Sequence, residues 1–420
     1  MKRINLFLMD MSHAGNTSGV DRYITTLLKG LESYPNIQVC WIHLRHDAFI
    51  LFHKEETFSF YRKITIPLPQ QFNEIISGKF WINKYNEQVY RITKHLFEDK
   101  QNCIIHIHTL NLIDLATYIR SQAGCKIITH LHCIPWKGLY NSDTRRFNKL
   151  YDLLYIRKTE KPDRHEFITN NSELRSYTDA DHIICVTQCA EDFLRNVMVI
   201  SHNNISVIPN GINDFQVKNE RRREKADEIF NMLYVGVLSE SKGLKYILQA
   251  MRKVKEKGYQ VSLTIAGAVE SIRAKSIKEM NKDLMLNMLG RIPFTGLTGY
   301  YRKSDAGIIA SLQEQSSYVA IEMAMFGLPI ITTAVDGLDE IFTDRLNALK
   351  VNTRFSKVFG LSVDTTMMAD KIITLIKDKD LRIRLGKEAR ALYERELTLQ
   401  RMMQQTVRVY QKVTGETEYV

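Results

Sequence analysis

Short apolar runs separated by amphipathic stretches recur along the whole chain. Residues 3–9, 39–44, 103–108, 126–131, 182–186 and 205–208 are apolar nearly without interruption, which predicts strands buried on both faces. Residues 20–31, 83–97 and 188–197 instead space their apolar positions by three and four, which predicts helices. Strand and helix in alternation predict a doubly wound parallel sheet. Pro209-Asn210-Gly211 and a polar, charged segment to about Asp227 interrupt the pattern. It restarts at 232–235, 261–266, 284–288, 306–310 and 329–332. The chain therefore reads as α/β, two similar domains joined near residue 213, and a cleft between them is the natural active site.

The second half is organised around residues 310–331. An apolar strand (306–310) runs into a polar turn holding Glu314, then a helix over 317–326 that stops at Gly327 and Pro329, then another strand. Such βαβ units bind ligands beyond the carboxyl ends of their strands. Ser316 or Ser317 can cap the helix, whose free N–H groups favour an anion such as phosphate. Glu322 lies about 9 Å further along the helix than Ser316, inside the apolar run Val-Ala-Ile-Glu-Met-Ala-Met-Phe. A carboxylate buried there needs a partner, and a ribose hydroxyl is a candidate.

A length of 420 residues suits two or more domains, and 44% hydrophobic with 25% charged residues is ordinary globular composition. No apolar run reaches the roughly 20 residues of a membrane helix, and residues 1–10 are too short for a signal peptide. A cytoplasmic protein is expected, peripheral at most at an inner membrane face. Cys40, Cys103, Cys125, Cys133, Cys185 and Cys189 lack zinc spacing and fall mostly in or beside strands, so reduced core cysteines are expected. The net charge of +11 is spread over both halves, 25 basic and 21 acidic residues up to 213 and 33 and 26 beyond. That dispersion excludes the basic stripe of a nucleic-acid binder and fits phosphate-bearing small molecules or an anionic membrane surface.

Further chemistry sits at strand ends. Residues 10–19 form a loop with Gly15 and Gly19 between the first strand and first helix. In Tyr234–Gly243, Gly236 closes a strand and Lys242-Gly243 opens a helix, which places a cation where it can neutralise a diphosphate. His106 with His108, and His130 with His132, close two strands, each pair on one face. They lack a metal-completing ligand at diagnostic spacing, so structural histidines are expected, with His132 nearest the cleft. Residues 141–161, basic, amphipathic and tyrosine-bearing, predict a helix that packs on the core or lies on an anionic bilayer.

Four anchors in order carry a resemblance: Ser18-Gly19-Val20 with Arg22, Pro209-Asn210-Gly211, Gly236 to Gly243, and Glu314 with Glu322 followed by Phe326-Gly327-Leu328-Pro329. With them the chain resembles family 4 of the nucleotide-sugar glycosyltransferases, retaining and metal-independent enzymes of the GT-B fold with two Rossmann-like domains. The resemblance implies a first domain on the acceptor side (1–213), a donor domain (214–396) and a last helix (397–420) that packs back on the first domain. It implies no metal and no cofactor, the nucleotide sugar being a substrate. Glu314 is then expected on the donor sugar, Glu322 on the ribose, Lys242 on the diphosphate with Gly19 beside it, and His132 near the reacting sugar. Two positions depart from the family: Val237 stands where an arginine is usual, and Gln315 and Ser317 replace glycines. Arg291, in the turn after another strand, is a candidate to compensate for Val237. The expected activity is hexosyl transfer from a UDP- or GDP-sugar to a glycan, lipid-linked or peptide hydroxyl. Alternatives are a nucleotide-sugar epimerase or phosphorylase on the same fold, or a non-catalytic sugar-nucleotide-binding subunit.

Overall fold

The computed structural model of the chain describes residues 2–13, 19–46, 52–69, 74–98, 102–135, 172–201, 204–215, 229–268, 271–356 and 360–416. The expected basic helix at 141–161 and the serine of the Ser18-Gly19 loop lie outside the described residues. The chain divides into two compact units: one holds residues up to Pro209 and again from Leu399, the other Asn210–Thr398.

The first unit is built on a sheet of eight strands, β1 (Ile4–His13), β2 (Ile37–His46), β3 (Lys54–Thr57), β4 (Tyr61–Pro67), β5 (Cys103–Ile107), β6 (Lys126–Leu131), β7 (His182–Cys185) and β8 (Ile205–Val207). Their order is β3-β4-β2-β1-β5-β6-β7-β8. All neighbours pair in parallel except β3 with β4. Ile4, Leu6, Leu8 and Met9 of β1 are fully buried, because helices cover both faces of a parallel sheet. These are α1 (Gly19–Leu31), α2 (Glu74–Thr93), α3 (Ile113–Ala123) and α4 (Gln188–Asn196). The hairpin β3–β4 escapes the hydrophobic pattern for a physical reason. Its outer strand, Lys-Glu-Glu-Thr, is an exposed edge, and charge on an edge strand blocks pairing with other chains. Helix α2 begins nine residues before the expected start at 83, and a 3-10 turn, Lys94–Phe97, completes it.

In the second unit β9 (Phe230–Val235), β10 (Val261–Ala266), β11 (Met285–Gly290), β12 (Ala306–Ile309), β13 (Ile330–Thr333) and β14 (Leu349–Val351) form a parallel sheet. The order β11-β10-β9-β12-β13-β14 is the doubly wound 3-2-1-4-5-6 arrangement, whose direction reverses between β9 and β12. Helices α5 (Leu244–Glu256), α6 (Ser271–Met280), α7 (Phe294–Lys303), α8 (Tyr318–Met325), α9 (Asp336–Ile341), α10 (Thr365–Lys377) and α11 (Lys379–Glu396) surround it. A small antiparallel hairpin, β15 (Thr353–Ser356) with β16 (Gly360–Val363), follows β14. Asp364 and Asp378 cap α10 and α11 through their carboxylates.

The last helix, α12 (Leu399–Val413), belongs to the first unit. A Cβ at Gly30 of α1 would stand 2.4 Å from the side chain of Met403 of α12, so a larger residue there would require Met403 to move. Tyr410 of α12 reaches His106 of β5 at 2.9 Å. Among the described residues no helix is long and apolar enough to cross a membrane.

Backbone geometry is most demanding at Gly243, with φ +70° and a would-be Cβ 2.0 Å from the Ala310 carbonyl oxygen. Gly243→Ala should therefore lose more than the roughly 1–2 kcal/mol of a left-handed alanine alone, read as a lower denaturation midpoint of the second unit. An unchanged midpoint would show that the two turns can separate at no cost.

Candidate functional site

At the switch point of the second sheet, the turns after β9 and β12 run side by side. The Leu312 amide donates to the Ser241 carbonyl at 2.8 Å, and Gly243 lies against Ala310. This contact brings together two residues 72 positions apart: the Lys242 ammonium and the Glu314 carboxylate form an ion pair. Ser311 adds its hydroxyl to the same carboxylate oxygen at 3.2 Å. Lys242 sits in a one-turn 3-10 helix, Glu240–Lys242, immediately before α5. Gly236, with φ +152°, passes so close to Gly267 that a Cβ on Gly267 would stand 1.8 Å from the Gly236 oxygen.

The two serines have separate tasks. Ser317 caps α8 by accepting the Ala320 amide at 3.3 Å. Ser316 accepts from the Asn210 backbone amide at 3.3 Å, and its carbonyl accepts from the Asn210 side chain at 3.2 Å. The Pro-Asn-Gly segment is thereby fastened to the turn that carries Glu314. Glu322 is buried, 1% exposed, and the Tyr301 hydroxyl of α7 donates to its carboxylate. The partner that sequence reasoning sought in a ligand is supplied, for that oxygen, by the chain. No local pattern announces Tyr301, because the contact is made only when α7 and α8 pack.

Val237 is 57% exposed beyond the end of β9. Arg291, also exposed, follows β11, two strands from β9 and so about 10 Å away across the sheet. The first unit places Gly19 at the exposed start of α1, where a Cβ would meet nothing within 4 Å. Packing among the described residues does not demand glycine there.

At the carboxyl ends of β5 and β6 of the first unit, four histidines cluster, His106, His108 and His130 buried and His132 half-buried. His106 Nε2 lies 3.2 Å from His130 Nδ1, and His108 Nδ1 lies 3.1 Å from His132 Nε2. The His130 and His132 rings stack at 4.1 Å, and Tyr23 packs against His108, His130 and His132. Burial, the largest cause, pushes His106 and His132 down to about 3 and holds His108 and His130 well below the usual range, so all four are neutral near pH 7. His106, His108 and His130 offer ring nitrogens within 4.8 Å of one another. Tetrahedral zinc would hold them about 3.4 Å apart, and His106 and His130 are already bonded to each other. Near Cys133, Glu173 is buried, accepts from Tyr177 at 2.9 Å and is pushed up by burial to about 7.

Sequence reasoning missed a further network at the ends of β1 and β2, where register sets Asp10 opposite His43. Asp10 Oδ1 accepts from Trp41 Nε1 at 2.6 Å and pairs with His43 Nδ1 at 2.7 Å. His43 Nε2 stands 3.1 Å from Ser12 Oγ. The signal was present, Asp and Ser two apart on one strand face and His on the next, but register alone aligns them. All six cysteines are free. Four are buried as expected, whereas Cys189 is half-buried and Cys133, just past the end of β6, is exposed.

Two parallel doubly wound units with a cation, a carboxylate and a helix start at a switch point define the GT-B class of glycosyltransferases. The family model "Glycosyltransferase Family 4" matches residues 17–214 and "Glycosyl transferases group 1" matches 216–392. Together they span most of the chain, which belongs to this family of glycosyltransferases. Capsular polysaccharide biosynthesis glycosyltransferase CapM of Staphylococcus aureus is 25% identical over 57% of this chain and 63% of its own length. An uncharacterized glycosyltransferase of Methanocaldococcus jannaschii is 24% identical over 46% of this chain, and the match spans about half, 53%, of that relative. Among solved structures, sucrose-phosphate synthase of Thermosynechococcus elongatus superposes with a TM-score of 0.74 at 19% identity, covering 99% of this chain and 100% of that one. Trehalose-6-phosphate synthase of E. coli, bound with UDP-2-fluoro glucose, gives 0.69 at 14% identity over 98% and 99%.

Tyr301→Phe removes a donor from a buried carboxylate and should cost about 1–3 kcal/mol in chemical denaturation. No loss would mean that other groups satisfy Glu322 fully. The histidines give stability a pH slope. Their folded pKa values lie below the unfolded value near 6.5, so the contribution is complete above about 6.5 and is lost as pH falls toward about 3. Glu173, raised instead, acts oppositely between about 4.5 and 7, but it is one group against four. The first unit should thus melt lower at pH 5 than at pH 7.5, and replacing His106 by Asn should flatten that slope. A melting temperature that rises on acidification would contradict the neutral cluster.

Proposed function

We propose that this glycosyltransferase moves a hexose-type sugar from a UDP- or GDP-sugar to a hydroxyl acceptor with retention of configuration and without a metal ion. The observation that carries the reading is the Lys242–Glu314 pair at the switch point of the second sheet, ahead of the capped start of α8. The pair is half-buried and braced by the Ser311 hydroxyl, and it stands at the carboxyl ends of the strands, where such sheets bind ligands, which supports a site held ready for a ligand. Lys242 and the N–H groups at the start of α8 stabilise the departing diphosphate. Glu314 accepts from hydroxyls of the donor sugar. Glu322, fixed by Tyr301, presents its carboxylate to the ribose. Gly19 lets backbone approach the phosphates, and His132 contacts the reacting sugar. The acceptor is a glycan, a lipid-linked glycan or a peptide. Capsule biosynthesis, named for the Staphylococcus relative, favours the first two and peripheral membrane contact.

The test separates ground-state from transition-state contacts. Glu322→Ala should weaken binding of the bare nucleotide in calorimetry. Glu314→Ala should leave that binding within a few-fold and lose most transfer, since its contacts matter as the sugar bond breaks. The reverse pattern would sink the assignment. Transfer should also persist in excess EDTA; complete loss restored by a divalent cation would overturn the metal-free reading. The exposed valine at 237 favours one rival, a non-catalytic sugar-nucleotide binder. Tight nucleotide binding with no turnover against any acceptor would establish it.

A further inference from the structure

The histidine cluster specifies more than a neutral ring. Neutral His108 has one proton for two nitrogens. Nδ1 is 3.1 Å from His132 Nε2, while Nε2 is buried with no hydrogen-bond partner among the described residues. Both proton placements keep the bond between the rings, but they strand different atoms. A proton on Nε2 leaves a buried N–H without an acceptor, whereas a proton on Nδ1 leaves only a lone pair. Stranded N–H groups are the rarer of the two in folded proteins. His108 therefore donates through Nδ1, and His132 Nε2 accepts.

The other chain of the cluster obeys the same rule. His130 Nε2 is likewise buried without a partner, so His130 donates through Nδ1 to His106 Nε2. His106 then donates through Nδ1 to the Tyr410 oxygen.

We propose that His108 is a positioning residue that fixes His132 in its Nδ1–H tautomer, so that His132 meets its ligand as a neutral hydrogen-bond donor to a sugar oxygen and not as a proton acceptor. This deepens the proposed function and rests on it only for the identity of the ligand; the tautomer is a property of the protein alone. A single proton on His132 sits on the nitrogen that His108 does not use. The half-buried ring then has no lone pair to offer as a general base, and burial disfavours the imidazolium that a general acid would need. The assignment excludes His132 from proton transfer. It restricts the ligand atom to an acceptor such as a hydroxyl oxygen.

The experiment is a long-range proton–nitrogen correlation spectrum of the full chain labelled with 15N-histidine, His132 being assigned by its loss in His132→Gln. The expected spectrum shows Nδ1 of His132 at a protonated shift and Nε2 at an unprotonated one. His108→Asn, whose amide N–H stands near the Nδ1 position, should retain that tautomer. His108→Phe, which fills the space without a donor, should move His132 toward the Nε2–H form. Turnover of UDP-glucose or GDP-mannose should fall at least tenfold in His108→Phe, mainly in kcat, and recover to within about threefold in His108→Asn. An Nε2–H tautomer in the unsubstituted protein overturns the proposal, as does a tautomer unchanged in His108→Phe. If His108→Phe fails to fold, the spectrum of the unsubstituted chain decides by itself. If the spectrum is as expected but no nucleotide sugar is turned over, the tautomer stands and the transferase reading of the site fails.

Discussion

The close approach of two backbone turns, Gly243 against the carbonyl of Ala310, is the constraint on which the candidate site of the second unit depends. The first turn holds a single 3-10 turn and the second no regular structure, and each follows a strand buried at the centre of the sheet. Because Gly243 has no Cβ and adopts positive φ, the chain after β9 can lie on the chain after β12. The hydrogen bond from Leu312 to Ser241 then sets their register. Lys242 and Glu314 meet as a result. Any larger residue at 243 would force the turns apart and separate the charges that the site brings together.

A second layer supports the first. Ser316, next to that turn, is held by Asn210 from below, and Glu322 is held by Tyr301 from the side. Both supports use polar groups in places with little access to water, where a lost partner costs more than a made bond gains. Such a network tolerates few substitutions.

The first unit repeats the architecture with different contents. Its polar groups also gather at carboxyl strand ends, but as neutral rings and a carboxylate–imidazole–hydroxyl series in place of an ammonium–carboxylate pair. The physical distinction is burial. Three histidines packed on Tyr23, and His106 tied to α12 through Tyr410, stay uncharged. The second unit gathers charge at its strand ends, and the first gathers dipoles.

Much of this was legible in the amino-acid order. Strands β1, β2, β5, β6 and β10 follow from runs of mostly apolar residues, because a strand covered on both faces buries nearly every side chain. Glu314, Glu322 and Lys242 could be selected because a turn after a buried strand, or a charge inside an apolar helix, is conspicuous in one dimension. The tertiary structure alone decided what satisfies those groups. Tyr301 reaches Glu322 across two helices, Asn210 reaches Ser316 over 106 positions, and His108 reaches His132 from a neighbouring strand. Strand register and helix packing set such contacts. They depend on the summed burial of many side chains, and no local spacing encodes that sum. The charged edge strand β3 shows the converse, a segment whose sequence resembles a loop and which becomes a strand only because β4 is there to pair with it.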